Sequence, residues 1–399
     1  MLYQYKAKDQ NGVLRQGEVE AKNPEDIYAM LKKEGLFLLN LREVKPKKTI
    51  SLGLYSGVSL KDLAVFTKQL QVMVQAGMSL VSALRSQGEQ TENKKLAKIA
   101  LQLASAVEGG KALSSALSEY PSVFSPLYIN TVLAGETSGK LEEVLASLSD
   151  TLEKDYDLRS KIKGAMIYPA FILTALIAVV IIILIYVVPS LTKLFKELGG
   201  TLPLVTRILI KSSDFARTFW WAVLLGILGL IILLRLYKKT KTGAYLLDAL
   251  KINLPIFGPL VRKIYMARFC RTASTLVKAG LPITQILKTA KSIITNSIYQ
   301  DALEKVAKKV ENGLPLALAL KETGHFPTMV HQLIYIGEES GKLEESLDTL
   351  ADYFEKEVTA TTSALASLIE PILIVIIGIA VALIVFSVIK PIYGLTEIL

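Results

Sequence analysis

The feature that most constrains the fold of this 399-residue chain is an internal repeat that extends into apolar segments. Residues 135–150 read GETSGKLEEVLASLSD and residues 337–352 read GEESGKLEESLDTLAD, with eleven of sixteen positions identical at an offset of 202. Upstream, 66–80 aligns with 269–283 at an offset of 203. Self-similarity at a nearly fixed offset indicates a duplicated structural unit.

Three apolar segments predict membrane crossings. No charged residue occurs from Gly164 to Thr192, and 371–389 is a second long apolar run. The run at 218–234 is shorter, but the flanking Arg235 can extend its charged end to the interface. An α-helix needs about 20 apolar residues to cross the hydrocarbon core. We therefore expect transmembrane helices at 169–190, 218–237 and 371–391.

The repeat includes the membrane-spanning part of the chain. Tyr168–Pro169 aligns with Glu370–Pro371, and Pro189 aligns with Pro391. Two copies of one unit on the same side of a membrane need spans that run the same way, so the short span between them must be the return crossing. Nine Lys and Arg residues flank the spans on the side of the repeats, against five in the loop after the first span. The excess of positive charge in cytoplasmic loops predicts that the large domains are cytoplasmic.

The predicted fold is an all-α membrane protein with a small ββαβ module at its N-terminus. Apolar residues in 63–74 recur at three- and four-residue intervals, which is typical of one helix face. Clusters of Ser, Gly and Pro separate such segments and predict two bundles of about six helices each. The predicted parts are the module at 1–45, a linker at 46–57, duplicated cytoplasmic bundles at 58–168 and 238–370, the three spans, an extracytoplasmic loop at 191–217 and a tail at 392–399.

The repeated GETSGK and GEESGK stretches do not fit a nucleotide-binding loop. Such a loop needs GxxxxGK followed by Ser or Thr, between a strand and a helix. Here the glycines are one residue too close, and leucine occupies the position of the metal-ligating hydroxyl. The preceding segments are apolar runs outside any βαβ pattern. The stretch therefore predicts a corner between two helices.

In this prediction the first glycine of each motif ends one helix and the Ser-Gly pair opens the next. The following leucines would face the core, and the two acids after the first leucine suit a helix N-terminus. Glu136 and Glu338 have no packing role in this interpretation and are either solvated loop acids or contacts for a partner's Arg or Lys. The corner residues and candidate partner contacts are Gly135, Glu136, Ser138, Gly139, Leu141, Gly337, Glu338, Ser340, Gly341 and Leu343.

The membrane boundaries carry the remaining candidate residues. Pro169 and Pro371 are predicted to be helix starts or hinges between bundle and membrane, because each lacks a backbone donor. Pro189 and Pro391 are predicted to close the spans. Glu370 is either a solvated acid at the level of the lipid headgroups or a functional group, since an ionisable residue deeper in a membrane is costly.

The composition gives no support for an enzyme. Two histidines and one cysteine, Cys270, cannot build a metal site alone, and no disulfide is possible. Paired carboxylates and nucleophile–base arrangements are also missing from the pattern. The net charge of +10 is explained by basic flanks of the spans, without nucleic acid as a direct partner. We expect no catalytic, metal or cofactor site.

The small N-terminal module, the two repeats with GExSGKLEE and the placement of prolines and spans together resemble a known family. It is the inner-membrane platform protein family of type IV pilus assembly, type II secretion and related DNA-uptake systems. One departure is that the second repeat reads ENG at 311–313 where the first reads EGG, so this loop is expected to differ in shape.

The resemblance implies a non-enzymatic protein of the bacterial inner membrane. Its implied partners are a cytoplasmic hexameric ATPase, pilins or pseudopilins, other inner-membrane assembly components, membrane lipid and further copies of itself. The implied role is to couple the ATPase to pilin polymerisation. A transporter or permease component is the alternative, although the almost wholly apolar spans offer few polar groups for a substrate.

Overall fold

The computed structural model describes residues 2–8, 14–20, 30, 37–43, 57–187, 189 and 204–396. The chain divides into two compact units, residues 1–57 and residues 58–399. The first unit contains three antiparallel strands in the order β2-β1-β3, and the predicted helix before β3 lies outside the described residues except for helical Met30. The strands are β1 (Leu2–Lys8), β2 (Leu14–Glu20) and β3 (Phe37–Glu43).

The second unit is helical and contains both repeats, as the sequence predicts. The first repeat consists of α1 (Leu60–Gln75), α2 (Leu80–Gln90), α3 (Lys94–Glu108), α4 (Leu113–Leu117), α5 (Pro126–Ser138) and α6 (Leu141–Ile182). A π-helical turn at Ile183–Val187, α7 (Leu204–Lys239) and α8 (Lys241–Asn253) follow. The second repeat consists of α9 (Gly258–Lys278), α10 (Ile283–Ile293), α11 (Ser297–Glu311), α12 (Leu316–Thr323), α13 (Thr328–Ser340) and α14 (Leu343–Thr396).

Each repeat has its own apolar core, with aromatic residues at equivalent positions. Phe66 and Phe124 are buried in the first repeat, and Phe269 and Phe326 are buried in the second. The rings of Phe269 and Phe326 lie 5.4 Å apart between centroids. The predicted leucines after each corner face these cores, because the 3,4 spacing places them on one side of the helix.

The loop between the third and fourth helices has the same conformation in both repeats, which corrects the expected difference. Gly109 has φ −75° and ψ 7°, and its equivalent Asn312 has φ −86° and ψ 9°. The residue that needs a left-handed conformation is the next one, Gly110 at φ 85° and Gly313 at φ 89°. Since glycine occupies that position in both copies, the exchange at the preceding position leaves the loop unchanged.

Two helices in the described part of the chain are long and apolar enough to cross a membrane, α6 and α14 over Leu343–Ile379. Each begins at a helix corner, runs through its bundle and continues into the apolar segment. At about 1.5 Å per residue, the 42 residues of α6 span roughly 63 Å. One continuous helix therefore connects each bundle to its apolar segment.

The continuity of these helices corrects the prediction that Pro169 and Pro371 start the spans. Pro169 is buried inside α6, and Pro371 lies within α14. Proline is tolerated inside a membrane helix because neighbouring groups and small backbone adjustments satisfy the carbonyl that loses its donor. Helix α14 also continues through Pro391 to Thr396, so that proline does not end the helix. Pro189 follows the π-helical turn, and its closing role stays a prediction.

The predicted return span lies on α7, which is broken at Phe219 (φ −115°, ψ 20°), one residue into the predicted segment. Leu225, Leu228 and Leu230 beyond the break are exposed, as lipid-facing side chains would be. Helices α8 and α9 together are apolar but bent by 105°, and α9 is the central helix of the second core. In the described part of the chain, two helices are thus long and apolar enough to cross a membrane, and the return crossing on α7 stays a prediction.

Candidate functional site: the helix corners and the junction between the repeats

The duplicated motif forms the same corner in both repeats. Helix α5 continues through Glu136 to Ser138, and Gly139 follows in the left-handed conformation with φ 71°. The N–H of Lys140 donates to the carbonyl of Gly135 at 2.9 Å, and the N–H of Gly139 donates to the carbonyl of Glu136 at 3.4 Å. This is a Schellman motif, which satisfies carbonyls at the helix end. Gly341, with φ 69°, and Lys342 repeat it after α13.

Gly135 and Gly337 therefore do not end a helix, and the prediction that they do is wrong. They lie within α5 and α13, where the next helix passes close by. A Cβ on Gly135 would approach Cβ of Val144 to 3.0 Å, and a Cβ on Gly337 would approach Cα of Leu343 to 3.0 Å. The first glycine of the motif is required by this close crossing of two helices.

The serines of the motif end the first helix, whereas the sequence predicts that they open the second. The hydroxyl of Ser138 donates to the carbonyl of Ala134 at 2.8 Å, and that of Ser340 donates to the carbonyl of Ile336 at 2.6 Å. Neither side chain caps the following helix, which starts after Lys140 or Lys342. Leu141 and Leu343 then pack partly buried against their respective cores, as predicted.

The acids of the two corners, Glu136 and Glu338, each cap a helix of their own bundle. Carboxylate oxygens of Glu136 accept from the N–H of Leu113 and, at 3.0 Å, from the N–H of Ser114 at the start of α4. Glu338 accepts from the N–H of Leu316 at 2.7 Å and from the N–H of Ala317 at 2.8 Å at the start of α12. Both side chains are half-buried. A carboxylate that caps two free N–H groups matches the positive end of the helix dipole.

The solvated-acid interpretation of Glu136 and Glu338 is therefore wrong. The helix that each acid caps lies 22 residues before it in the chain, and the sequence pattern gives no sign of this pairing. A partner contact at these residues stays a prediction. In this structure, however, both oxygens of each carboxylate accept hydrogen bonds from backbone N–H groups of the same bundle.

A buried arginine, which the sequence interpretation missed, organises the junction between the repeats. Arg271 lies on α9 within a core segment, and only 8% of its side chain is exposed. Its Nε donates to Oε1 of Glu355 at 2.9 Å, and its Nη2 donates to Oε2 of the same carboxylate at 3.1 Å. Its guanidinium also binds the carboxylates of Asp348 and Asp352. Lys154 of α6 reaches Asp352 at 3.5 Å from the other repeat.

The charges of this cluster shift the pKa values of Arg271 and Asp352. Burial lowers the pKa of Arg271, but its three carboxylate partners raise that pKa above its usual value. For Asp352, burial raises the pKa, whereas the hydrogen bond from Arg271 and the charges of Lys154 and Arg271 lower it by more. Arg271 and Asp352 are thus held in their ionised forms at neutral pH. A sequence signal existed: Asp348, Asp352 and Glu355 recur at helical spacing, and Arg271 is the one charged residue of the stretch FCRTASTLV at 269–277.

Polar and apolar contacts continue the junction on both sides of Arg271. The hydroxyls of Thr151 on α6 and Thr275 on α9 lie 2.7 Å apart, and Nδ2 of Asn130 on α5 donates to Oγ1 of Thr289 on α10 at 2.9 Å. Leu127 of α5 is buried in the core of the second repeat. Nearer the membrane-spanning segments, a small cluster joins the repeats through Leu158, Leu260 and Val358.

Several cavities in the described part of the chain border the junction. One, of about 200 Å³, lies between α1, α5, α6 and α9 and is lined by Arg268, whose buried Nε has no hydrogen-bond partner. Another is a cleft of about 530 Å³ between α6 and α14, lined by both acidic and basic side chains including Lys161 and Asp157. In the described part of the chain, no three His, Cys, Asp or Glu side chains are placed to hold a metal ion.

Glu370 lies within α14, directly before Pro371, and its side chain falls outside the described residues. Its role as a solvated or functional acid therefore stays a prediction. The proline hinges are also untested, although both prolines lie where bundle and apolar segment meet in one helix.

Comparison with known proteins identifies the duplicated unit. Residues 66–189 and 269–391 each match the family model described as type II secretion system (T2SS), protein F. Residues 1–42 match the N-terminal domain of type II secretion system protein F. Each matched range begins within the first helix of its repeat and continues through the apolar segment of its last helix.

Relatives resemble the chain over nearly its whole length. The type IV pilus assembly protein PilC of Thermus thermophilus is 38% identical over 398 residues, which cover 98% of this chain and 97% of the relative. PilC of Myxococcus xanthus is 33% identical over 392 residues, covering 98% and 94%. Type II secretion system protein F of Pseudomonas aeruginosa is 32% identical over 400 residues, covering 99% of each chain.

Proposed function

The chain belongs to the type II secretion system protein F family, and from this membership we propose that it is the inner-membrane platform of a pilus-assembly or type II secretion machine. In this proposal the protein has no enzymatic activity. It couples a cytoplasmic hexameric ATPase to the polymerisation of pilins or pseudopilins, together with other inner-membrane components. Its two bundles face the cytoplasm, in keeping with the excess of Lys and Arg on that side of the spans.

The observation that carries the proposal is the unbroken path from each bundle into its span. Helices α6 and α14 begin at the capped corners, pass through the cores and end in the apolar segments. A movement imposed on a bundle is passed along a helix because its backbone hydrogen bonds keep it stiff over this length. In this proposal pilins leave the membrane as they join the fibre, so the platform needs such a mechanical link.

The junction makes the two helices move together. Lys154 on α6 binds Asp352 on α14, and the cluster of Leu158, Leu260 and Val358 packs both helices against α9. A force on either bundle therefore reaches both spans. This supports a platform that transmits motion, whereas a permease would need a polar pathway between spans.

The proposal is tested by breaking the helix between bundle and span. Insertion of Gly-Gly between Gly164 and Ala165 places two flexible residues in α6 without touching the core. We expect membrane insertion and co-purification of the ATPase to persist, while piliation or secretion falls to the level of the deletion strain. The matched control is the same insertion between Gly199 and Gly200, which should retain activity.

Two results would contradict the proposal. Full fibre assembly by the α6 insertion variant would show that the helix does not transmit movement. ATP hydrolysis by the purified full-length protein, without its partner ATPase, would show that it is an enzyme and remove the premise of coupling.

A further inference from the structure

The two repeats contact each other through different faces. The first repeat contributes α5 and α6, and the second contributes α9, α10 and α14. In particular, α5 of the first repeat packs on α9 and α10 of the second. The reciprocal arrangement would pack α13 on α1 and α2. These three helices are fully described, and they form no comparable contact. The interface within the chain is therefore head-to-tail rather than two-fold.

A head-to-tail contact leaves one unused face on α13, which we call face A and define as Met329, Gln332 and Ile336. Met329 is the equivalent of Leu127, and Gln332 is the equivalent of Asn130, both of which contact the second repeat. Leu127 is 8% exposed, whereas Met329 is 39% exposed and Ile336 is 57% exposed. The second repeat thus presents to solvent the surface that the first repeat buries.

The groove beside face A has the character of a docking surface. It lies between α12 and α13, has a volume of about 430 Å³, and is lined by Gln332 and Ile336 of face A. Leu318, Tyr335, Lys321 and His331 complete its lining. Leu318 and Tyr335 are both exposed, and Leu318 replaces Ser115 of the first repeat. Contiguous exposed apolar side chains on a soluble bundle mark interaction sites.

The complementary unused face is on the first repeat. We call it face B and define it as Val65, Gln69 and Val72 on α1 together with Ser86 on α2. Val65 and Val72 are 46% and 52% exposed. The equivalents of face B in the second repeat lie at the junction between repeats and are Arg268, Thr272, Thr275 and Thr289.

We propose that face A of one copy docks on face B of a second copy, which repeats between chains the contact that the two repeats make within one chain. The pairing keeps the chemistry of the internal contact. Met329 would occupy the place of Leu127, and the amide of Gln332 would meet the hydroxyl of Ser86 as Asn130 meets Thr289. Arg268, whose buried Nε has no hydrogen-bond partner, has the uncharged equivalent Val65, so this contact buries no cation there.

The membrane favours this arrangement. Both repeats are anchored at equivalent points, where α6 and α14 enter their apolar segments. A second copy in the same membrane therefore presents face B at the height at which its neighbour presents face A. Repeated head-to-tail contacts generate a ring if the rotation closes, and otherwise an open chain. The inference goes beyond the proposed function, because it concerns self-association and not the ATPase.

Disulfide cross-linking in native membranes tests the contact. The full-length double variant Gln332→Cys, Ser86→Cys is oxidised and separated on a non-reducing gel. We expect a ladder of dimers, trimers and larger species, because each chain carries both halves of the contact. Each single variant should remain monomeric. The native Cys270 does not interfere, because it is fully buried and burial raises its pKa.

A matched control uses the internal contact. The double variant Asn130→Cys, Thr289→Cys joins two side chains that already lie within 2.9 Å, and it should form a disulfide within one chain without any ladder. Adding Ile336→Asp to the Gln332–Ser86 pair should reduce the ladder at least tenfold. Adding Leu133→Asp, at an exposed apolar residue outside both faces, should leave the ladder unchanged.

Three outcomes would overturn the proposal. The first is a monomeric Gln332–Ser86 pair while the internal control forms its disulfide. The second is a product that stops at dimer, or a dimer from a single variant, since either indicates a two-fold contact. The third is a ladder that persists with Ile336→Asp, which would show that cross-linking follows random collision in the membrane. These readouts do not depend on piliation or secretion.

Discussion

The first and second repeats share their corners and differ where they touch each other. In both, a carboxylate caps the fourth helix and a glycine allows two helices to cross closely. Inside the cores, a polar pair in the first repeat has an apolar equivalent in the second. Thr67 donates to the hydroxyl of Tyr128 at 3.1 Å, and their equivalents are Cys270 and Val330. The joint exchange leaves no buried hydroxyl without a partner.

The largest difference lies at the junction. Arg271 is buried and bound by three carboxylates, whereas its equivalent in the first repeat is the exposed Lys68. Asp348 is replaced by Ala146 in the first repeat, so the acidic stripe is incomplete there. The residues shared by both repeats therefore build the bundle, and the residues that differ decide which face of each bundle meets the other.

Replacing Arg271 with alanine should have the largest effect on the fold. It leaves Glu355, Asp348 and Asp352 close together without their cation, and breaking a buried ion pair from one side costs about 3 kcal/mol or more. The expected result is a lower midpoint of thermal unfolding in detergent micelles, measured by loss of helical circular dichroism. Lys68→Ala is the control at the equivalent position and should leave the midpoint unchanged, because Lys68 is exposed. Equal midpoints for the two variants would remove the distinction between the repeats.

Replacing the corner acids should lower the stability of the fold by a similar amount in both repeats, because both repeats contain the same helix cap. Glu338→Ala leaves two N–H groups of α12 without their carboxylate and should cost about 2 kcal/mol. Glu136→Ala should cost at least as much, because the hydroxyl of Ser114 also donates to Glu136. Glu339→Ala, one residue beyond the cap and exposed, is the control. The midpoint of thermal unfolding is measured for all three variants.

The same variants separate a cap from a partner contact. If Glu136→Ala and Glu338→Ala fold as stably as the wild type but no longer co-purify with the ATPase, the acids act as partner contacts and the cap is not important. Loss of stability with normal recruitment at permissive temperature would confirm the cap alone.

The helical architecture could be predicted from the sequence because each determinant is local or periodic. These determinants depend on residues within one or two helical turns of each other. They are the duplicated motif, the apolar segments and the leucines at helical spacing. The sequence predicts the corner in the right place, but it assigns the wrong roles to Gly135 and Ser138. Their roles depend on a second helix that crosses at Val144 and on the helix ending three residues later, at Gly139.

The candidate site was harder to predict because its contacts join residues far apart in the chain. Glu136 caps a helix 22 residues earlier, and Arg271 binds Glu355 across 84 residues. Sequence patterns of single helices carry no distance information of this kind. The continuity of α6 through Pro169 was also missed, since the rule that proline interrupts helices holds in water and weakens in a membrane.

Acid should weaken the junction of the second repeat, and this effect should be smaller than removal of Arg271. The pKa of Asp352 is lowered in the folded protein, so its contribution is complete above the unfolded value near pH 4 and is lost as the pH falls through the folded pKa. The difference in unfolding midpoint between wild type and Arg271→Met should therefore shrink from pH 7 to pH 3. A difference that stays constant over this range would show that the ionised cluster does not stabilise the fold.

The smallest expected effect concerns the loop that differs in sequence but not in conformation. Gly109→Asn copies the second repeat into the first at a residue with φ −75°, which any amino acid adopts, so the unfolding free energy should change by less than about 0.5 kcal/mol. Gly110→Ala, one residue further at φ 85°, should cost about 1 kcal/mol, because a Cβ strains the left-handed conformation. Gly313→Ala in the second repeat should cost the same. A larger loss of unfolding free energy for Gly109→Asn than for Gly110→Ala would mean that the two loops are not interchangeable. The two repeats would then differ more at this loop than their backbone angles indicate.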